Sequence, residues 1–255
     1  MKKNELKQVY PSAKIIKLNE IVQRTIKKIK KPFYIANFLF SLDGRISIYF
    51  PKKNINLTPK SICTEKDYLF FKTIKESADC LVTHTNYFIN YEKKIYGNII
   101  DQDNKPHIIL LSNSLNFKIS KKVVSLKNRL TVITTCKKQS KIKKLRDQGF
   151  KVLVENNKKN VSAKYMDKYI NNMGFKIVYF IAGPKIVEDM INKGLLDTLF
   201  CTMSINIVGN NIFDTFIRGD ILRRDISPFL KNIFLSDEGK GKKIKQVFYK
   251  FNFGK

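Results

Sequence analysis

Apolar residues in this chain recur in two alternating patterns, short continuous runs and longer segments with helical spacing. Phe33 to Phe40 is almost wholly apolar and aromatic, as expected of a strand that is covered on both faces. Glu65 to Ser77 follows with helical spacing and with Thr64 as an N-cap. Further strands are predicted at 80–83, 107–112, 130–135, 151–154, 176–181 and 198–208, and further helices at 138–148, 163–173 and 185–193.

This alternation predicts an α/β fold in which a mostly parallel central sheet carries helices on both faces. Two strands, near Ile233 and at 246–253, follow without a long helix between them. They predict an antiparallel C-terminal edge. No linker divides residues 32–255, so we assign them to one domain.

Residues 1–31 are polar and basic, and their apolar residues from Ile15 to Ile29 recur at helical spacing. This pattern favours an N-terminal arm or helix lying on the domain. A helix on a membrane surface is the alternative.

The formal net charge of +28 raises the question of nucleic-acid binding, because lysine-rich surfaces attract polyanions. Only seven of the 49 basic residues are arginine, the residue expected where phosphates or base edges are read by paired hydrogen bonds. The lysines are dispersed along the chain, which favours a solvated surface over a binding patch. An attraction to small molecules that carry phosphate follows in either case.

The cysteines and histidines give little support for a metal or haem site. Cys63, Cys80, Cys136 and Cys201 form no C-x-x-C pair, and the chain has two histidines. Free thiols beside predicted strands fit a reducing compartment. No apolar run reaches the roughly 18 to 20 residues needed to cross a bilayer. We expect a soluble cytoplasmic protein without a metal.

The corner Ala182-Gly183-Pro184 follows a predicted buried strand and opens a helix that continues through Lys185. Ligands of such sheets bind beyond the carboxyl ends of the strands, where a helix N-terminus offers unpaired N–H groups to a phosphate. Gly183 allows close approach and Pro184 suits the first helical position. A plain strand-to-helix turn is the alternative, and the G-x-G-x-x-G fingerprint is absent.

The segment from Ser41 to Ser47 (SLDGRIS) places a hydroxyl, a carboxylate and a guanidinium directly after the first buried strand. Asp-Gly between apolar runs is also a common hairpin signal, so a simple turn is the alternative. As a site, these groups could hydrogen-bond a polar heterocycle and hold its sugar.

Phe33 to Ser47 resembles the opening strand of the reductase domain at the C-terminus of bacterial riboflavin-biosynthesis deaminase/reductase proteins. Further segments resemble that family in the same order along the chain. They are Val9-Tyr10-Pro11, Leu57-Thr58-Pro59 with Asp67, Ala78 to Val82, Ile108 to Leu115, Ala182-Gly183-Pro184, Gly194 to Asp197, and Ile207-Val208-Gly209.

The resemblance implies a dihydrofolate-reductase-like fold, with NADPH as the hydride donor. It implies reduction of the ribosylamino group of a phosphorylated aminopyrimidine to a ribitylamino group, and homodimers are usual in the family. No deaminase zinc motif is present, so a separate deaminase is implied. By similarity, Asp43 is the candidate catalytic residue, and Ser41 and Arg45 are candidates for substrate binding. The candidates for cofactor binding are Ser47, Thr58, Thr83, His84, Thr85, Ala182, Gly183, Pro184 and Lys185.

Several positions depart from the family pattern. Ile181 stands where a glutamate usually precedes the Gly-Pro corner, Thr83 and Asn86 replace the usual Gly and Thr of the second cofactor loop, and Thr198 replaces a glutamate. A missing carboxylate is compatible with another pyrimidine- or pterin-like substrate, with a rearranged pocket or with lost activity. A basic nucleic-acid-binding derivative of the same fold is the alternative from another class.

Overall fold

The computed structural model describes residues 2–27, 29, 31–85, 106–117, 121–156, 158–217, 226–238 and 243–254 of the 255-residue chain. Within them, eleven strands form one large sheet and three form a small one. The strands are β1 (Glu5–Tyr10), β2 (Lys14–Lys17), β3 (Phe33–Ser41), β4 (Ser47–Phe50), β5 (Ile55–Leu57), β6 (Cys80–His84), β7 (His107–Ser112), β8 (Leu130–Thr134), β9 (Lys151–Val154), β10 (Ile177–Ile181), β11 (Thr198–Ser204), β12 (Phe213–Asp214), β13 (Phe229–Glu238) and β14 (Lys243–Asn252).

The large sheet has the order β2-β1-β13-β14-β11-β3-β10-β6-β7-β8-β9. Neighbouring strands from β11 to β9 pair in parallel, whereas β14, β13, β1 and β2 join by antiparallel pairing. The mostly parallel sheet is therefore confirmed. The small sheet, in the order β12-β4-β5, was not predicted.

Helices cover both faces of the large sheet, as predicted. They are α1 (Leu18–Ile26), α2 (Glu65–Ser77), the short α3 (Lys121–Val124), α4 (Gln139–Asp147), α5 (Ala163–Asn172) and α6 (Pro184–Asn192). Helices α1, α2 and α4 pack into the core on one face, through residues such as Val22, Ile74 and Ile142. Helices α5 and α6 pack into the core on the other face, through residues such as Met166 and Met190.

The first 31 residues differ in part from the prediction. Helix α1 confirms the helical spacing from Leu18 onward, but Ile15 lies in β2 and is exposed. Strands β1 and β2 extend the large sheet beyond β13, so the antiparallel C-terminal strands do not form its edge. Strand β1 was missed because Gln8, a polar residue, is one of its two buried positions.

Two carboxylates fix the amino-terminal ends of the central strands. The Asp79 carboxylate accepts hydrogen bonds from the backbone amides of Lys176 (3.0 Å) and Ile177 (2.9 Å). The Asp197 carboxylate accepts one from the amide of Tyr34 (2.9 Å). Because β3 and β10 are held in register at this end, their opposite ends also reach the same edge of the sheet.

Membrane crossing requires a helix that is both long and apolar. In the described part of the chain, no helix meets both conditions.

Candidate active site at the carboxyl ends of the strands

The segments singled out in the sequence meet at one edge of the sheet. Strands β3, β10 and β6 are parallel neighbours, and each ends in one of these segments: Ser41 and the turn after it, the corner from Ala182 to Lys185, and Thr83-His84-Thr85. Ser47 begins β4 and Thr58 follows β5, both in or next to the small sheet. The structure therefore brings the three segments that follow β3, β10 and β6 to a common edge.

The turn after β3 is organised around Asp43. The Ser41 hydroxyl and the Arg45 guanidinium both donate hydrogen bonds to its carboxylate. The backbone amides of Gly209 (2.9 Å) and Val208 (3.3 Å) donate to the same carboxylate from the loop between β11 and β12. Asp43 thus joins two loops that come from neighbouring strands.

This environment sets the protonation state of Asp43. The hydrogen bond from Ser41 is the largest influence, and it acts together with the amides of Gly209 and Val208 and the charge of Arg45. These interactions lower the pKa of Asp43 to about 2, although desolvation has a smaller effect in the opposite direction. The carboxylate is ionised at neutral pH, so it can accept hydrogen bonds and orient neighbours but has no proton to donate.

Arg45 is held on several sides. Its Nε and Nη2 atoms each lie 3.3 Å from the carbonyl oxygen of Asn210, to which they donate. The guanidinium lies 4.4 Å from the centre of the Phe213 ring, a cation–π geometry. Much of its donor capacity is therefore used in ordering the loop around Asn210.

Ser47 is fixed by the small sheet. Its hydroxyl donates to the Asp214 carboxylate (2.8 Å), which also accepts from the side-chain amide of Asn56 (2.7 Å). The backbone amide of Ile46 donates to the Asp214 carbonyl oxygen (2.9 Å). Asp214 thus ties β12 to β4 and β5 beside the Asp43 turn.

The corner after β10 opens helix α6 without a side-chain cap. Gly183 is the N-cap and Pro184 the first helical residue, while Lys185 is exposed. Gly183 has φ −67°, and a Cβ added there would meet no atom within 4 Å. Among the described residues, none therefore crowds the position that a Gly183 side chain would take at the start of α6. A helix N-terminus of this kind suits an anion such as a diphosphate.

The end of β6 lies against this corner. The Thr83 hydroxyl donates to the Ile181 carbonyl oxygen (3.2 Å), and both Thr83 and Thr85 are buried. Burial lowers the pKa of His84, which favours its neutral form. Asn86, one of the departures from the family pattern, lies outside the described residues.

Two of the other departures have different consequences. Ile181 ends β10 next to the corner, and its partly buried side chain packs against the core on the α2 face. Thr198 begins β11 at the opposite end of the sheet, and its hydroxyl donates to the Asn252 side-chain oxygen (3.1 Å). Of these two changes, the one at Ile181 lies beside the candidate site, as does the change at Thr83.

Sequence reasoning gave no role to the loop from Val208 to Asn210 or to Asp214. Strand β11 was expected to continue to residue 208, but it ends at Ser204, and the next residues turn to bind Asp43 and Arg45. Gly209 at φ +71° and Asn210 at φ +91° were the available signals, since Gly and Asn adopt that backbone region most readily.

Metal chemistry was not expected from the sequence. Over the described ranges, no group of three or more His, Cys, Asp or Glu side chains is placed to hold a metal ion.

Comparison with known proteins places the chain among riboflavin-biosynthesis proteins. Residues 32–224 match the family described as the RibD C-terminal domain. The chain is 21% identical over 202 residues to the riboflavin biosynthesis protein RibD of Aquifex aeolicus (strain VF5), covering 79% of this chain but only 53% of that relative.

Solved structures show the same fold. A pyrimidine reductase-like protein from Corynebacterium diphtheriae superposes with a TM-score of 0.72 at 18% identity, over 94% of this chain and 100% of that one. Dihydrofolate reductase from Enterococcus faecalis, solved in complex with NADP(H), superposes with a TM-score of 0.50 at 12% identity, over 88% and 97%. The dihydrofolate-reductase-like fold is confirmed. The chain belongs to the RibD C-terminal domain family, the reductase family of riboflavin biosynthesis.

Proposed function

We propose that this protein uses NADPH to reduce the ribosylamino group of a phosphorylated aminopyrimidine to a ribitylamino group in riboflavin biosynthesis. One observation carries the proposal. The open N-terminus of α6 at Gly183 follows β10, and the Ser41–Arg45 turn follows the neighbouring strand β3, so the two lie at the same edge of the sheet. A diphosphate bound at the first would place the rest of a dinucleotide within reach of the second.

The residues at the α6 corner fit the diphosphate of NADPH. The uncapped amides supply donors, Gly183 leaves room for phosphate oxygens, and the exposed Lys185 adds a positive charge. Thr58, Thr83, His84 and Thr85 would complete the cofactor site from the neighbouring strand ends. When bound, NADPH supplies the hydride.

The protein's own part in such a reaction is to align the groups and exclude water. Ser41, Asp43 and Arg45 form a preorganised cluster that suits the hydroxyls of an opened sugar. Because Asp43 is ionised, its role would be to accept hydrogen bonds and orient the substrate, and Arg45 would add positive charge near the sugar phosphate.

Two partner assignments belong to the same proposal. A separate deaminase would supply the deamination step, as the family resemblance implies. A homodimer is the expected assembly, and its mass in solution measured by light scattering tests that expectation.

The test is titration of NADPH, followed by its fluorescence, against the native protein and two variants. The native protein should bind, and Gly183→Asp should weaken binding at least about 100-fold, because it places a carboxylate where the diphosphate would lie. Gly183 has an ordinary φ and open space around it, so the variant should keep the native circular dichroism and melting temperature.

Gly183→Ala is the control for size, since it adds a methyl group without charge. It should lose no more than several-fold in affinity. Unchanged NADPH affinity in Gly183→Asp would refute the assignment of the corner, and no binding by the native protein at millimolar NADPH would refute the proposed function.

A further inference from the structure

The positive charge of the chain is concentrated at one end of the large sheet. Residues 121–168 contain fifteen basic and three acidic residues, so about a fifth of the sequence carries +12 of the total net charge of +28. This stretch includes β8, α4, β9 and α5. Lysines occur throughout the chain, but the fold gathers an excess of them around β9, the last strand of the sheet.

Five exposed cations meet near the amino-terminal end of β9. They are Lys127, Lys143, Lys144, Arg146 and Lys151, and we call them the basic cluster. Helix α4 runs from the carboxyl end of β8 back to the start of β9, so its second half brings three of them to this end. Lys151 begins β9, and the Lys127 side chain lies beside Gly149, between α4 and β9.

Ion pairs do not neutralise the basic cluster. None of the ion pairs found among the described residues includes one of its members. Asp147, exposed at the end of α4, is the acidic residue of that helix. Burial lowers the pKa of His107 to about 4, and the charges of Lys151 and Arg129 add to this effect. The basic cluster therefore presents a positive potential to solvent.

The free side of β9 is closed to an added protein strand. Along a strand, the carbonyl groups of alternate residues point to opposite sides. The carbonyl oxygens of Val152 and Val154 accept hydrogen bonds from the Arg146 guanidinium (3.1 Å) and the Tyr165 hydroxyl (3.2 Å). A partner that extended the sheet would have to displace both side chains, so the surface does not suit strand addition.

The same surface lacks the groups that a membrane or a single strand of nucleic acid would need. Among the described residues of 121–168, no large apolar side chain is exposed, so none can insert into a bilayer. The aromatic residues of this stretch are Phe150 and Tyr165. Phe150 is buried and Tyr165 is partly buried against β9, so neither presents an exposed ring on which unpaired bases could stack.

We propose that the basic cluster binds the sugar-phosphate backbone of duplex nucleic acid, independently of base sequence. Lysine ammonium groups attract phosphates as point charges, and Arg146 is engaged by Val152, so the cluster suits phosphates better than base edges. Release of counterions from the duplex drives binding of this kind. The surface lies at the amino-terminal end of β9, whereas the candidate active site lies at the carboxyl ends of the strands.

The experiment measures binding of fluorescently labelled duplexes to the whole protein by anisotropy, at several salt concentrations. With about four phosphates contacted, the logarithm of the association constant should fall with the logarithm of salt concentration with a slope of about −3 to −4 between about 50 and 200 mM. RNA and DNA duplexes offer the same phosphates, and tighter binding of one would identify the natural ligand. No binding of either duplex at about 50 mM salt, or a slope near zero, would overturn the inference.

Two triple variants separate a local cluster from the general charge of the chain. They are Lys143→Gln, Lys144→Gln and Lys151→Gln as the test, and Lys7→Gln, Lys14→Gln and Lys17→Gln as the control. The control removes the same charge from exposed lysines of β1 and β2, at the other end of the sheet. The test variant should bind at least about tenfold more weakly and reduce the size of the slope by about 3, whereas the control should stay within about threefold of the native affinity. Equal losses in the two variants would overturn the inference.

Competition experiments test the other anionic ligands. An unlabelled single strand should displace the duplex less well than an unlabelled duplex, and vesicles of phosphatidylserine and phosphatidylcholine should not displace it. The opposite result with either competitor would contradict the assignment to duplex. Both variants should keep the native circular dichroism and NADPH affinity, because the basic cluster is remote from Gly183. Failure of duplex binding therefore leaves the proposed reductase function untouched.

Discussion

Asp43 and Asp67 are both carboxylates near one edge of the sheet, but their surroundings differ. Asp43 accepts from two side chains and two backbone amides, and its pKa is lowered to about 2. Asp67 is buried with an unpaired oxygen, and its pKa is raised to about 6. The pKa values of two side chains of the same type are thus shifted in opposite directions, because hydrogen-bond donors stabilise the charge of Asp43 whereas burial penalises that of Asp67.

Asp43→Asn tests the ordering role. The amide nitrogen that replaces one carboxylate oxygen would face the donors of Arg45 or Gly209, so the two loops should lose their connection. We expect kcat to fall about 10- to 100-fold through misalignment, with NADPH affinity changed less than about threefold.

The measurement is steady-state reductase activity together with the NADPH titration, and Asp147→Asn, an exposed change on α4, serves as control. Native kcat should show no ionisation of Asp43 at any pH well above its pKa of about 2. Full activity in Asp43→Asn would contradict the role.

At the scale of elements, the helix that follows β9 shows how side chains decide where an element begins. Ser162 is the N-cap of α5, and its hydroxyl accepts from the Tyr165 amide (3.2 Å) and donates to Glu155 (2.6 Å). The Glu155 carboxylate also accepts from the Ser162 amide (2.7 Å) and is buried. One serine therefore connects the helix to the strand before it.

Ser162→Ala removes the cap and one partner of a buried carboxylate. We expect it to lower the free energy of unfolding by about 1–2 kcal/mol. Urea denaturation followed by circular dichroism gives the value. Ser140→Ala, an exposed change in the first turn of α4, should stay within about 0.5 kcal/mol of the native protein, and equal effects of the two variants would count against the cap.

Elements with local signals were predictable from the sequence. Helix α2 has the predicted bounds because Thr64 caps it, and α4, α5 and α6 each end just before a glycine with positive φ. Strand β1 was missed because polar Gln8 takes one of its two buried positions, and β2 because Ile16 is its one buried residue. The strands of the small sheet were missed because each has four residues or fewer. The Ser41–Arg45 turn was found from residue types, whereas the hydrogen bonds from Val208 and Gly209 to Asp43 depend on how the loop after β11 is placed in the fold.

At the scale of the whole molecule, one histidine links stability to pH. The His107 ring lies 3.1 Å (Nε2) from the Thr131 hydroxyl and stacks on Phe175 at 5.1 Å. Burial, with smaller effects of the Lys151 and Arg129 charges, lowers the pKa of His107 to about 4. Its folded-state pKa is below the ordinary 6.5, so unfolded chains bind the proton first and stability falls as the pH drops from 6.5 to about 4.

His107→Gln should reduce this dependence. We expect the stability lost between about pH 7 and pH 4 to be smaller in the variant by about 1–2 kcal/mol, once the partial exposure of the ring is discounted. Urea midpoints at the two pH values measure the loss. Asp67 acts with the opposite sign, since its raised pKa favours the fold at lower pH, but it does so equally in both proteins. Parallel curves for the two proteins would exclude His107 as the cause.

The pairing of β1 with β13 has a consequence for how the protein is made. Lys7 lies opposite Leu235, so β1 leaves the ribosome long before the strand with which it pairs. The parallel strands can assemble earlier, while β1, even when paired with β2, keeps the backbone groups of its other edge unpaired until β13 has been made. Completion of the sheet is therefore a late step in biogenesis, and the interval before it is when the nascent protein is most exposed to aggregation.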